Sequence, residues 1–475
     1  MTVTADHHAI EDLRAAMRGP VLEPGDPAYD QAREVYNAMF RTRRPAAIAR
    51  CTGVADVMAA VRWAGAHDQL VAVRAGGHSV AGWCICDGGL VIDLTPMKGI
   101  QVDPAARRVR AQGGVNWGEF DRETQAFGLA TTGGRVTSTG IAGLTVGSGS
   151  GWLERRLGLA ADNLLSADVV CADGSFVKAS AAENADLFWG LRGGGGNFGV
   201  VTSFEYQLHP VGPLLHAGLL VYPLQDAARV MREWREFMAE APNELTTGVS
   251  FLTLPPAPFV PQHLQGQPGL GMFVVYAGDP DRGEEVTGPL RRIGPPAADL
   301  TAPTPYVVLQ SLLDDVAPAG RLNYWKSENL SALPDGAIDI FVEYARSFSS
   351  PLTYFTLEPK GGAIGAMGED DTALGSRDAA YAFYVVTMWT NPAESERHIA
   401  WTREFAQAMQ PYTTAGMFLN FVMDEGQERV RSTYGERRYR RLVELKDKYD
   451  PGNLFRHNQN IPPSRGTPPG PRGTP

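Results

Sequence analysis

The apolar positions Val54, Val57, Met58, Val61 and Ala64 recur at helical spacing, which predicts a helix with one inward face, capped by Thr52 and ended by His67-Asp68. Leu70-Val71-Ala72-Val73 then runs without a polar interruption, the pattern of a short buried strand. Further strands are predicted at Leu90 to Leu94, Val109 to Ala111 and Ala167 to Cys171, with a helix around Trp117 to Phe127. Asp173-Gly174 marks a hairpin between the last of these strands and Phe176-Val177. Leu187 to Leu191 closes a helix, and Val200 to Tyr206 resumes as a strand. The result is a mixed α+β domain.

Beyond Pro210 and Pro213 the texture changes. Predicted strands at Leu219 to Tyr222, Val249 to Leu254, Met272 to Tyr276, Leu352 to Leu357 and Ala382 to Met388 alternate with helical patterns and proline-rich turns. That order predicts a second domain, an antiparallel sheet with helices on one side. The expected division is 1–212 for the first domain, 213–424 for the second, 425–461 for a return to the first, and 462–475 for a disordered tail of proline, glycine, serine and arginine. Two domains also suit a chain of 475 residues, beyond the size at which one core keeps growing.

Composition narrows the partners. With 44% hydrophobic and 20% charged residues the chain is ordinary globular protein, and its net charge of −10, with no basic cluster among aromatics, argues against nucleic acid. No stretch has the uninterrupted apolar length of a membrane span, and the start lacks a signal-peptide pattern, so a cytoplasmic protein without a membrane partner is expected, as monomer or homodimer. Cys51, Cys84, Cys86 and Cys171 have neither disulfide-framework nor metal spacing, and no metal site is predicted.

Candidate chemistry begins at Arg74-Ala75-Gly76-Gly77-His78-Ser79, which sets an imidazole at a strand end, in a turn whose glycines let backbone approach a ligand. A solvated histidine at a strand end is the plainer alternative. The run Thr139-Gly140-Ile141-Ala142-Gly143-Leu144-Thr145-Val146-Gly147-Ser148-Gly149-Ser150-Gly151 is stronger: its glycines cannot fill a core, yet Ile141, Leu144 and Val146 keep it from solvent. Backbone pressed on a flat polar ligand accounts for both properties. Gly194 to Gly199 has the spacing of a dinucleotide fingerprint in the wrong context, because a helix precedes it and a strand follows.

These segments, with Gly158 to Asn163, Arg192 to Val201 and Tyr449 to Ile461, resemble in sequence and order the flavoprotein oxidases of the berberine bridge enzyme-like group, within the vanillyl-alcohol oxidase and para-cresol methylhydroxylase superfamily. The resemblance implies a two-domain α+β oxidase fold, with FAD bound covalently through His78. It implies that Arg74, Ala75, Gly76, Gly77 and Ser79 hold pyrophosphate, and that Gly140, Gly143, Gly147, Gly149 and Gly151 run along the cofactor. Asp162, Asn163, Gly199 and Val201 are expected near its adenosine or ribityl parts, and Asn458 and Asn460 at the flavin's polar edge. Many relatives attach the flavin a second time through a cysteine where this chain has Val136, so a single linkage is implied. That matches singly linked members such as 6-hydroxy-D-nicotine oxidase and favorskiiase-like polyketide tailoring enzymes.

On the substrate side, relatives often carry a Gly-x-Tyr-x-Asn-Tyr pattern, whereas Gly416-Met417-Phe418-Leu419-Asn420-Phe421 has phenylalanine at both tyrosine positions. Thr353 to Glu358 alternates as a strand, which sets Tyr354, Thr356 and Glu358 on one face. Glu358 is a candidate general base with its pKa raised by apolar walls, or an ion-pair partner of Lys360. Arg321, Tyr324, Trp325 and Lys326 form a cluster that suits support of the domain interface. Thr139 and Leu144 are candidates for the path of O2. The expected function is oxidation of a small organic substrate by hydride transfer to the flavin, with O2 as acceptor. The alternatives are a flavin-dependent oxygenase of a polyketide and a non-catalytic flavin-binding or drug-sequestering protein.

Overall fold

The computed structural model describes residues 7–414, 416 and 418–465. A small sheet opens the chain: β1 (Val21–Leu22), β2 (Ala47–Arg50), β3 (Val71–Arg74) and β4 (Leu90–Asp93), in the order β1-β2-β4-β3 with β2, β4 and β3 parallel. Helix α1 (Val54–Ala66) buries Val57, Ala60, Val61 and Ala64 against it. The residue expected to cap α1 does not do so. Gly53 stands at the N-cap, and Asp56 reaches back instead, accepting from both the N–H and the hydroxyl of Thr52 at 2.8 Å.

A five-stranded antiparallel sheet follows: β5 (Ile100–Asp103), β6 (Arg108–Gln112), β7 (Leu164–Val170), β8 (Phe176–Ser180) and β9 (Val200–Gln207), in the order β5-β6-β9-β7-β8. The β7–β8 hairpin turns at Gly174, whose φ of 74° suits glycine. Packed on this sheet are α2 (Trp117–Gln125), α3 (Ile141–Gly147) and α4 (Ala185–Leu191), around a core that holds Trp117, Phe120, Phe198 and Phe204. Helix α3 lies inside the glycine-rich run, where composition gave no helical signal. Tertiary bonds support it: the Thr145 hydroxyl bonds Tyr206 at 2.8 Å, and the Asn420 amide donates to the Gly143 and Leu144 carbonyls.

The second half of the chain builds a nine-stranded sheet whose central strands are β10 (Leu214–Pro223), β11 (Leu245–Thr253), β12 (Pro268–Tyr276), β13 (Leu322–Leu330), β14 (Tyr354–Pro359) and β15 (Tyr381–Trp389), in the order β10-β12-β11-β14-β15-β13. Every pairing among them is antiparallel. Helices α5 (Ala227–Met238), α6 (Asp335–Ala345) and α7 (Ser395–Met409) cover one face. Alternation decides what each face carries: Phe355, Leu357, Phe383 and Val385 pack with Trp234, Phe341 and Phe405 of the helices. Tyr354, Glu358, Tyr384 and Val386 fall on the opposite face by the two-residue period. Helix α8 (Gln427–Tyr449) then returns to the first half and puts Val430, Tyr434, Leu442 and Leu445 into the core around Trp117. The fully buried Lys446 fastens it, donating to Asp450 at 2.7 Å and to the Asn197 and Phe455 carbonyls. Part of the expected tail packs as well, since Ser464 N–H donates to Asp447 at 2.8 Å. Residues 466–475 lie outside the described residues.

Candidate functional site

The uncovered face of β13, β14 and β15 meets the glycine turns of the first half, and a cavity of about 350 Å³ lies between them. One wall is backbone. A Cβ on Gly76 would stand 2.3 Å from the nitrogen of Gly140, and one on Gly140 would stand 2.4 Å from the nitrogen of Gly76. Only glycine permits the two turns to touch. Gly143, by contrast, lines the cavity and has no atom of the described residues beyond its own helix within 4 Å of its missing Cβ.

His78 sits where these turns meet. Its Nε2 lies 2.8 Å from Ser138 Oγ, its Nδ1 lies 3.5 Å from Thr139 Oγ1, and its ring stacks on Tyr36 at 4.4 Å. Burial pushes its pKa down to about 4, only partly opposed by Asp314, so the imidazole is neutral at ordinary pH. Ala75, Gly77, Ser79, Val136, Thr139, Leu144, Gly147, Gly199, Val201 and Asn458 also line the cavity.

Several residues expected at the site stand outside its wall and have other work. The Arg74 guanidinium turns to the Ala32 carbonyl. Gly149 and Gly151 are packing glycines, since a Cβ would meet Ala160 at 2.4 Å in the first case and the Gly133 carbonyl oxygen at 2.0 Å in the second. Asp162 accepts from Leu159 N–H and pairs with the buried Arg377 at 2.6 Å. Asn163 donates to the Leu157 and Leu159 carbonyls. Asn460 is not among the cavity's lining residues.

Glu358 is likewise off the wall and is 2% exposed. Charged and polar groups surround it in place of the expected apolar walls. Arg135 Nη1 reaches its Oε1 at 3.0 Å, Lys360 Nζ its Oε2 at 3.1 Å, and the Tyr384 hydroxyl donates to Oε1 at 3.0 Å. Lys360 also binds Glu154 at 2.8 Å. Burial acts to raise the Glu154 pKa, but Lys360 and Arg135 outweigh it and hold the carboxyl below its usual range. Arg135, Ser150 and Tyr384 connect this layer to the cavity wall.

The remaining wall is aromatic. Phe421 stacks on Tyr384 at 4.7 Å and on Trp325 at 6.1 Å, and Trp325 meets Tyr36 edge-on at 6.4 Å. Tyr354 completes this end. Of the cluster assigned to interface support, Trp325 lines the cavity, Lys326 pairs with Glu425 at 2.7 Å, and Arg321 bridges to Asn37. Tyr36, Trp83, Arg135 and Tyr384 are among the lining residues missed by sequence. Tyr384 lies in a strand apolar on both faces, where alternation gives no signal.

Residues 45–180 match the FAD binding domain model, and residues 417–462 match the berberine and berberine-like model. (R)-6-hydroxynicotine oxidase of Paenarthrobacter nicotinovorans is 31% identical, over 94% of this chain and 97% of that protein. The chain belongs to the berberine bridge enzyme-like FAD-linked oxidoreductases. A solved structure of 6-hydroxy-D-nicotine oxidase from Arthrobacter nicotinovorans superposes with a TM-score of 0.84 at 30% identity, covering 94% of this chain and 98% of that one. Chitooligosaccharide oxidase, at 24% identity and a TM-score of 0.82 over 96% of this chain and 100% of that one, shares the fold.

The residues present fit the berberine bridge enzyme-like cofactor. Tyr36 Oη, Trp83 Nε1 and Asn458 Oδ1 are buried, belong to cavity-lining residues and have no hydrogen-bond partner among the described residues. Buried polar groups without a partner call for an explanation, and a polar cofactor seated in the adjoining cavity is one. No described helix is long and apolar enough to cross a membrane.

Proposed function

We propose that this berberine bridge enzyme-like protein is an oxidase that carries FAD on His78 by a single covalent bond and oxidises a small organic molecule with O2 as acceptor. His78 carries this reading: its imidazole is neutral and clamped against Tyr36 between two hydroxyls, so a ring lone pair would be available to attach the flavin. Bound FAD supplies hydride acceptance and electron delivery to O2. The Gly76 and Gly140 turns allow close backbone approach; Val136 lacks sulfur, and the Cys84 thiol on the same wall is turned to the Gly77 carbonyl, which supports His78 as the single attachment.

Thr139 and Leu144 flank the route for O2. Tyr354 serves as a hydrogen-bonding group and not as a base, because burial pushes its pKa far above the ordinary tyrosine value. Glu358 has its oxygens engaged by two cations and a phenol, and its role is to position Tyr384. A substrate that gives up its proton readily suits such a site.

Rapid mixing tests the oxidase reading without a known substrate. Flavin photoreduced without air, then mixed with oxygenated buffer, is expected to reoxidise much faster than free flavin and to give one peroxide per flavin. Reoxidation at the free-flavin rate would contradict it. The lack of a free base also favours a second reading, oxygenation of an enolisable polyketone, for which label from 18O2 would appear in the product.

A further inference from the structure

The substrate end of the cavity is chemically one-sided. Its aromatic members, Tyr36, Trp325, Tyr354, Tyr384 and Phe421, line it with rings, three of them in one stack. The ionic layer behind them pairs Arg135 and Lys360 with Glu154 and Glu358, so it offers a ligand no unmatched charge. A charged substrate would lose its water with nothing to replace it.

Polarity is fixed at Tyr384. Its hydroxyl proton is committed to Glu358 Oε1, which also accepts Arg135 Nη1, while Glu358 Oε2 accepts Lys360 Nζ. Both carboxylate oxygens already accept N–H donors, which leaves the Tyr384 hydroxyl as the donor of the bond the two side chains share. Tyr384 oxygen is therefore left with lone pairs alone, an acceptor in a wall of rings. Phe421, without a hydroxyl, adds no donor beside it, and the other phenols of this wall belong to Tyr36 and Tyr354.

The geometry points to an uncharged, planar aromatic substrate that places an O–H or N–H donor on Tyr384, with the Glu358 carboxylate fixing Tyr384 as acceptor. This rests on the flavoenzyme reading and names the substrate class of that site. Tyr384 is then a specificity residue, and Glu358 a positioning residue that acts through it.

The test measures dissociation constants of three probes on the holoprotein by titration calorimetry: 2-naphthol, 2-methoxynaphthalene and 2-naphthoate. 2-Naphthol is expected to bind about 10-fold tighter than its methyl ether, the cost of one unmade hydrogen bond. The carboxylate should bind weakest. Tyr384→Phe should bring alcohol and ether within about twofold while leaving the visible flavin band unchanged. Glu358→Gln, whose amide can donate to Tyr384, should shrink or reverse the preference. Equal binding of alcohol and ether by the unaltered protein, tightest binding of the carboxylate, failure of all three to bind, or a preference that survives Tyr384→Phe would overturn the assignment. A colourless protein would instead sink the flavoenzyme reading, and calorimetry on it would still decide between alcohol and ether.

Discussion

On one side of the cavity the wall is main chain, two glycine turns in contact at Gly76 and Gly140. On the other it is side chains, a stack of rings at Trp325, Phe421 and Tyr384 with the Arg135, Lys360, Glu154 and Glu358 layer behind. The first wall tolerates almost no added atom but carries no charge. The second accepts changes of shape but depends on balanced charge. A cofactor common to a family suits the first design, and a substrate particular to one member suits the second.

Breaking the charge balance has the largest expected effect. Lys360→Met leaves two buried carboxylates facing Arg135 alone and should lower unfolding free energy by about 3–5 kcal/mol in urea titrations. A loss under about 1 kcal/mol would mean that water already reaches the layer. On the other wall, Gly76→Ala drives a methyl into the Gly140 backbone and should cost about 2 kcal/mol, with FAD content falling too. Gly143→Ala sharpens the contrast: its methyl meets no atom of the described residues beyond its own helix, so stability should hold while FAD occupancy drops.

A smaller effect probes the seam between the halves. Asp121 of α2 is buried, accepts from Gln310 at 2.5 Å, and is pushed by burial up to about 7. Its pKa is raised in the folded state, so its contribution is complete below about pH 3.8 and is lost as pH rises through about 7. Asp121→Asn should therefore gain stability at pH 8, on the order of 1 kcal/mol, and lose that advantage near pH 4. Melting curves at both pH values check it. The smallest change expected is in Thr139→Val, which should slow reoxidation by O2 without altering the flavin spectrum; an unchanged rate would remove Thr139 from the oxygen path.

The same contrast explains what was legible in the sequence. Close backbone contact demands glycine, and glycine is visible, so the turn before His78 and the run after Thr139 stood out. Within that run, glycines serving the cavity could not be told from those such as Gly151 that let two loops pack, because both need a missing side chain. The charged layer was not legible. It gathers residues 135, 154, 358 and 360 from both halves of the chain, and only the folded register brings Arg135 to Glu358. Lys360, two residues away, was the one partner sequence offered.

Acid-precipitated protein, digested and mapped by mass, tests the covalent flavin most directly. The expected result is yellow precipitate with FAD on the peptide containing His78 and on no other, and colourless precipitate from His78→Ala. Pigment released entirely into the supernatant, or found on another peptide, would contradict the account.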